Sequence, residues 1–145
     1  MDLSEVVLRK LIKEDLGLVY KWRNDPLIRH QMFNSGEISL EEHQKYWDQR
    51  LRKGNCYVIV LDGRDIGVVK LNKTDDGFEV DIFIDPSEQG KGIGTTALLK
   101  LKELAKKQGI LKLVAKIKSD NAGSQRIFEK NGFKLKYSYY ECDLR

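Results

Sequence analysis

Proline and cysteine are scarce in this chain, each occurring twice in 145 residues. Cys56 and Cys142 form no Cys-x-x-Cys pair and have no histidine at a ligand spacing. Both therefore read as buried or incidental thiols of a reducing compartment, and no metal site is expected. No apolar run approaches the length that crosses a membrane, and the opening MDLSEVVLRK lacks the apolar stretch of a secretory leader. A cytoplasmic protein with no membrane partner is expected. No internal repeat or low-complexity tract is visible.

What is present is an ordinary globular balance, with 41% hydrophobic and 33% charged residues. The length suits one domain spanning 1–145. The net charge is +4, but acidic and basic residues are interspersed. That pattern favours a mixed solvated surface over a nucleic-acid patch, while leaving some attraction for an anionic ligand.

Periodicity divides the chain into alternating elements. VVLRKLI (6–12) reads as a strand, and 14–23 as a helix interrupted at Asn24-Asp25-Pro26, with a short helical piece through Ile28 and Met32. ISLEEHQKYWDQRL (38–51) starts with a capping box, Ser39 as N-cap and Glu42 at N3. CYVIVL (56–61), Asp62-Gly63 and DIGVVKL (65–71) form a hairpin, because Asp-Gly supplies the positive φ angles of a tight primed turn.

FEVDIFID (78–85) alternates cleanly, Val80, Ile82 and Ile84 on one face and Glu79, Asp81 and Phe83 on the other. Ile93, Ala97, Leu98, Leu101, Leu104 and Ala105 then make one helical stripe closed by Gly109. LKLVAKI (111–117) predicts a strand, 121–131 a helix, and FKLKYSYYECDL (133–144) a last strand or pair. Together these imply one mixed α/β sheet.

Between strand and helix lies DPSEQGKGIGTTALL (85–99). Gly90, Gly92 and Gly94 remove side chains where the first amides of a helix are unpaired and its dipole is positive, an arrangement suited to a pyrophosphate. A nucleoside-triphosphate loop needs its lysine after the last glycine, and Lys91 precedes Gly92. Gly92-Ile93-Gly94-Thr95-Thr96-Ala97 matches a dinucleotide fingerprint. However, the following strand ends in lysines instead of the required acid, and too little chain follows for that fold.

Gln89-Gly90-Lys91-Gly92-Ile93-Gly94 is Q-x-x-G-x-G, and SDNAGSQRIFEKNGFK (119–134) follows it after one helix and one strand. In this order the two segments resemble the GNAT N-acetyltransferases over residues 78–134. The resemblance implies a GNAT fold, an α/β architecture with a mixed, mostly antiparallel sheet, splayed strands and flanking helices. It also implies acetyl-coenzyme A as co-substrate, no metal, direct amine attack on the thioester, and homodimers as a common assembly.

By resemblance, Ile82, Phe83 and Ile84 pair with the pantetheine arm. The loop Gln89, Gly90, Lys91, Gly92, Ile93, Gly94 and Thr95 holds the pyrophosphate, and Asn121 reaches the coenzyme. Position 128, at the coenzyme, carries the family's tyrosine acid; here it is Phe128, which cannot donate a proton. Tyr137, Tyr139 or Tyr140 is left as substitute, with Tyr139 the candidate, or else water. Glu79 and Asp81 are the candidate bases, on the strand face leading into the site.

KWRNDPLIRHQMF followed by ISLEEHQKYW is similar to the amino-sugar N-acetyltransferases of the pseudaminic acid pathway, which act on a UDP-linked 4-amino-sugar. That resemblance puts Met32 and Phe33 at the uracil and Arg23 and His43 near the diphosphate or sugar. A small-molecule amine partner is thereby expected. Acetylation of a protein N-terminus, or a module that binds acetyl-coenzyme A without turnover, are the other readings.

Overall fold

The computed structural model describes residues 5–145; Met1–Ser4, the start of the stretch read for a leader, lie outside it. The sheet has five strands in sequence order: β1 Val6–Lys10, β2 Cys56–Leu61, β3 Arg64–Thr74, β4 Gly77–Ile84 and β5 Leu113–Val114. The first four pair antiparallel, and β5 joins β4 in parallel. The helices are α1 Leu16–Arg23, α2 Pro26–Arg29, α3 Leu40–Lys53, α4 Ile93–Lys107 and α5 Ala122–Lys130. No described helix is long and apolar enough to cross a membrane.

Two apolar layers flank the sheet. Ile59, Leu61, Ile66, Val69, Leu71, Val80 and Ile84 pack against the α4 stripe and Phe128 of α5. On the opposite face Val58 and Val68 meet Val19, Trp22, Ile28 and Trp47 of α1–α3. Asp62 (φ 51°) and Gly63 (φ 73°) turn β2 into β3 as their residue types require. A register shift at Ile59/Val60 skips Ile66 on β3, which changes the alternation and lets Ile66 and Val69 face the same layer. Gly67 is needed beside this bulge, since a Cβ there would lie 2.5 Å from the Phe83 carbonyl oxygen.

The start of α3 follows its sequence. Ser39 Oγ accepts the Glu42 amide at 3.1 Å, although the Glu42 carboxylate returns to the Ser39 hydroxyl and not to its backbone. Three expectations are corrected. The helical piece expected through Met32 ends at Arg29, and the strand expected over 111–117 contracts to Leu113–Val114. The strand expected over 133–144 is absent: residues 133–145 are irregular, with Leu135, Tyr137, Tyr139, Tyr140 and Leu144 exposed. An alternating segment becomes a strand only where a neighbour takes its backbone groups, and none of the described strands does so here.

Candidate active site

β4 has β3 beside it along its whole length, but β5 only at Phe78–Leu113 and Glu79–Val114. The Phe78 amide donates to the Lys112 carbonyl (3.1 Å) and the Asp85 amide to the Ile66 carbonyl (2.8 Å). Backbone direction alternates along a strand, so Val80, Ile82 and Ile84 turn their amide groups towards the β5 side. The Glu79–Val114 pair is closed by the residues flanking Glu79, so β5 takes the Val80 N–H, and beyond it no described strand faces Ile82 or Ile84. The expectation named Ile82, Phe83 and Ile84; Phe83 instead pairs towards Val68 and sets its ring edge-on to Trp22, 6.2 Å away. The Gln89 side chain donates to the Ile84 carbonyl at 3.1 Å, bracing the strand end.

The loop that follows is built for an anion. Gly90 (φ 80°) and Gly92 (φ 82°) are left-handed, and Gly92 caps α4. Thr96 is the first residue of the helix to bond back, to the Gly92 carbonyl at 3.3 Å, which leaves the amides of Ile93, Gly94 and Thr95 as free donors. A Cβ on Gly94 would lie 2.7 Å from Ile127 Cδ1 and 3.1 Å from Ile84 Cδ1, so Gly94 is small because β4 and α5 meet there. Buried Asn131 ties α5 to the loop by donating to the Thr95 carbonyl at 3.2 Å, a role sequence reading missed.

Asn121 Oδ1 accepts the Ser124 amide at 3.1 Å and caps α5. Phe128 is buried edge-on against Phe133, with ring centroids 4.9 Å apart. An open strand edge in series with an anion nest fits a ligand with an amide-bearing arm and a diphosphate. Among the described residues no group of three His, Cys, Asp or Glu side chains could hold a metal ion.

The two candidate bases differ in their surroundings. Asp81 accepts from Asn72 Nδ2 at 2.8 Å and lies 3.9 Å from Lys70 Nζ. Asn72 in turn accepts from the buried Arg50 guanidinium at 3.0 Å, and Lys70 donates to the Tyr46 hydroxyl at 2.8 Å. Asp81 is thus one link of a network joining α3 to the sheet. Glu79 is half-buried, carries no side-chain hydrogen bond among the described residues, and sits at the last β4–β5 pair. Tyr139 is not brought to either carboxylate; it is 79% exposed in the irregular C-terminal segment.

Of the residues expected at the acceptor, Arg23 donates to the Gly36 carbonyl (3.1 Å) and the Asn34 carbonyl (3.0 Å), shaping the α2–α3 loop. Burial and the nearby Arg29 charge lower its pKa from the usual guanidinium value. That loop presents Phe33, which is 67% exposed, while Met32 packs partly into the α1–α3 layer.

His43 is 2% exposed, edge-on to Tyr20 at 5.0 Å and tilted against Trp47 at 6.2 Å. Burial first, then the Arg23 and Lys70 charges, push its pKa down and keep it neutral. His43, Trp47 and Arg50 are the buried residues of α3 at i, i+4 and i+7, a periodicity that signalled an inward His43. Trp22 Nε1 donates to Asp85 Oδ2 at 3.0 Å, pinning α1 to the end of β4 and holding that carboxyl below its ordinary range.

Comparison with known proteins agrees with this geometry. A 28% identical stretch of 137 residues aligns with an uncharacterized protein of Methanocaldococcus jannaschii, covering 90% of this chain and 28% of that protein. The chain therefore spans well under a third of that relative. The acetyltransferase PseH of Campylobacter jejuni is 28% identical over 143 residues, 92% of this chain and 88% of that one.

The aminoglycoside acetyltransferase AAC(6')-Ib, in a crystal structure with coenzyme A, superposes with a TM-score of 0.78 at 26% identity. The match covers 90% of this chain and 85% of that one. The family model for the acetyltransferase (GNAT) domain matches residues 5–134, nearly the whole chain, and the chain belongs to that family.

Proposed function

We propose that this chain is an N-acetyltransferase that takes acetyl-coenzyme A as donor and a small amine as acceptor, most specifically a UDP-linked 4-amino-4,6-dideoxy sugar. The observation that carries the donor is the open edge of β4 running into the Gly90–Thr95 loop. The acceptor assignment rests on the resemblance of residues 21–47 and on the likeness to PseH over nine-tenths of the chain. Exposed Phe33, beside Met32, offers a flat apolar platform of the kind a base stacks on.

When bound, the donor supplies an acetyl group activated as a thioester. The backbone groups of Ile82 and Ile84 orient its arm, and the free amides of Ile93, Gly94 and Thr95 take the diphosphate. Glu79, with no competing partner among the described residues, takes the proton that the acceptor amine must lose, directly or through one water. Phe128 keeps its position apolar, so the proton for the departing thiolate comes from solvent.

A coupled thiol-release assay with an acceptor panel tests this reading. Turnover is expected with the UDP-linked amino-sugar and not with a ribosomal-protein N-terminal peptide. Release with the peptide alone would replace the acceptor; coenzyme binding with no release from any amine would leave a binding module.

A further inference from the structure

Arg64 opens β3 at the hairpin turn, and its sequence position gives it no role beyond that turn. In the fold it reaches the donor loop. Its Nη1 donates to Glu88 Oε1, while Glu88 Oε2 accepts from Lys91 Nζ at 3.1 Å. Glu88 is 6% exposed and is the one buried carboxylate among the described residues. Burying a carboxylate is costly unless it is paired, and beside an anion nest an unpaired one would repel the ligand. Two cations on one carboxylate leave the cluster with a net positive charge.

Arg64 is otherwise uncommitted. Its side chain is half exposed, and its Nε and Nη2 donate to no other described residue. A guanidinium fixed by one edge presents its remaining donors in a defined direction, the geometry that suits a phosphate oxygen. An ordinary surface pair would have both partners in water, and here the acidic partner is buried.

We propose that Arg64 is a donor-binding residue: Glu88 holds its guanidinium at the rim of the 89–95 loop, where its free N–H groups take a phosphate oxygen from the nucleotide end of coenzyme A. Glu88 acts as the positioning residue, and Lys91 shares the same carboxylate. The inference rests on reading the loop as the coenzyme A site.

Calorimetry with coenzyme A, its analogue lacking the 3′-phosphate, and pantetheine tests it on wild type, Arg64→Ala and Arg64→Lys. Wild type should bind coenzyme A, and Arg64→Ala should weaken that binding roughly tenfold, the loss of one charge-assisted hydrogen bond. Pantetheine binding should stay at the wild-type value, and Arg64→Lys should recover part of the loss. A loss confined to coenzyme A assigns the 3′-phosphate, and a loss shared with the analogue assigns the diphosphate; either supports the proposal. Equal affinity of wild type and Arg64→Ala for coenzyme A overturns it. An equal loss with pantetheine also overturns it, marking a distorted loop. Wild type that binds no coenzyme A refutes the donor reading itself, and this proposal with it.

Discussion

Replacing Gly92 by aspartate should weaken coenzyme A binding by about a hundredfold, with a cost to the fold of no more than about 1–2 kcal/mol. Gly92 is the N-cap of α4 in a left-handed conformation (φ 82°, ψ 3°), and aspartate is among the side chains that tolerate that region. Capping side chains reach the first-turn amides from an extended backbone, so from this conformation the carboxylate recovers little of the backbone cost. The same carboxylate occupies the place of the diphosphate and repels it. Calorimetry should therefore show a loss of affinity far larger than the small fall of the thermal melt on the same sample. Asparagine, equal in shape and neutral, should weaken binding less. Unchanged affinity in the aspartate variant would remove the loop from the donor site.

Glu79→Gln should lower kcat by about two to four orders of magnitude, the usual contribution of a positioned base, with coenzyme A affinity close to wild type. The expectation for Glu79 over Asp81 comes from partners. Asp81 is engaged by Asn72 and Lys70, and Glu79 is engaged by nothing described. Asp81→Asn keeps a side chain that can still meet Asn72, and it should cost far less in kcat. A kcat close to wild type in Glu79→Gln would mean that another group takes the proton.

Much of this architecture could be read from local pattern, because the pattern had one physical solution. Residues 78–85 alternate so strictly that the faces of Val80 and Glu79 follow from pleating alone, and the structure keeps them. The glycines of 90–94 and the capped α3 were equally legible. The C-terminal alternation Leu135, Tyr137, Tyr139 was as regular and misled, because its outcome depends on a neighbour that local sequence does not name.

The residues expected on the acceptor side were the least legible. Arg23 spends its donors on the carbonyls of residues 34 and 36, which no spacing rule announces. His43 went inward with Trp47, a signal available from helical periodicity but outweighed by the residue's polarity. Arg64 and Glu88 lie 24 residues apart and meet only because the β2–β3 turn folds back onto the end of β4.

The two-pair ladder between β4 and β5 also has a kinetic signature. In the free protein the amides of Asp81 and Phe83, bonded towards β3, should exchange their hydrogens with solvent slowly. Those of Ile82 and Ile84, one residue away on the same strand, point into the gap and should exchange much faster. Protection would then alternate residue by residue along one strand, a pattern that neither local fraying nor global unfolding produces. Coenzyme A should erase it by slowing, within this strand, Ile82 and Ile84, so that the donor completes the hydrogen-bonding edge that β5 leaves open.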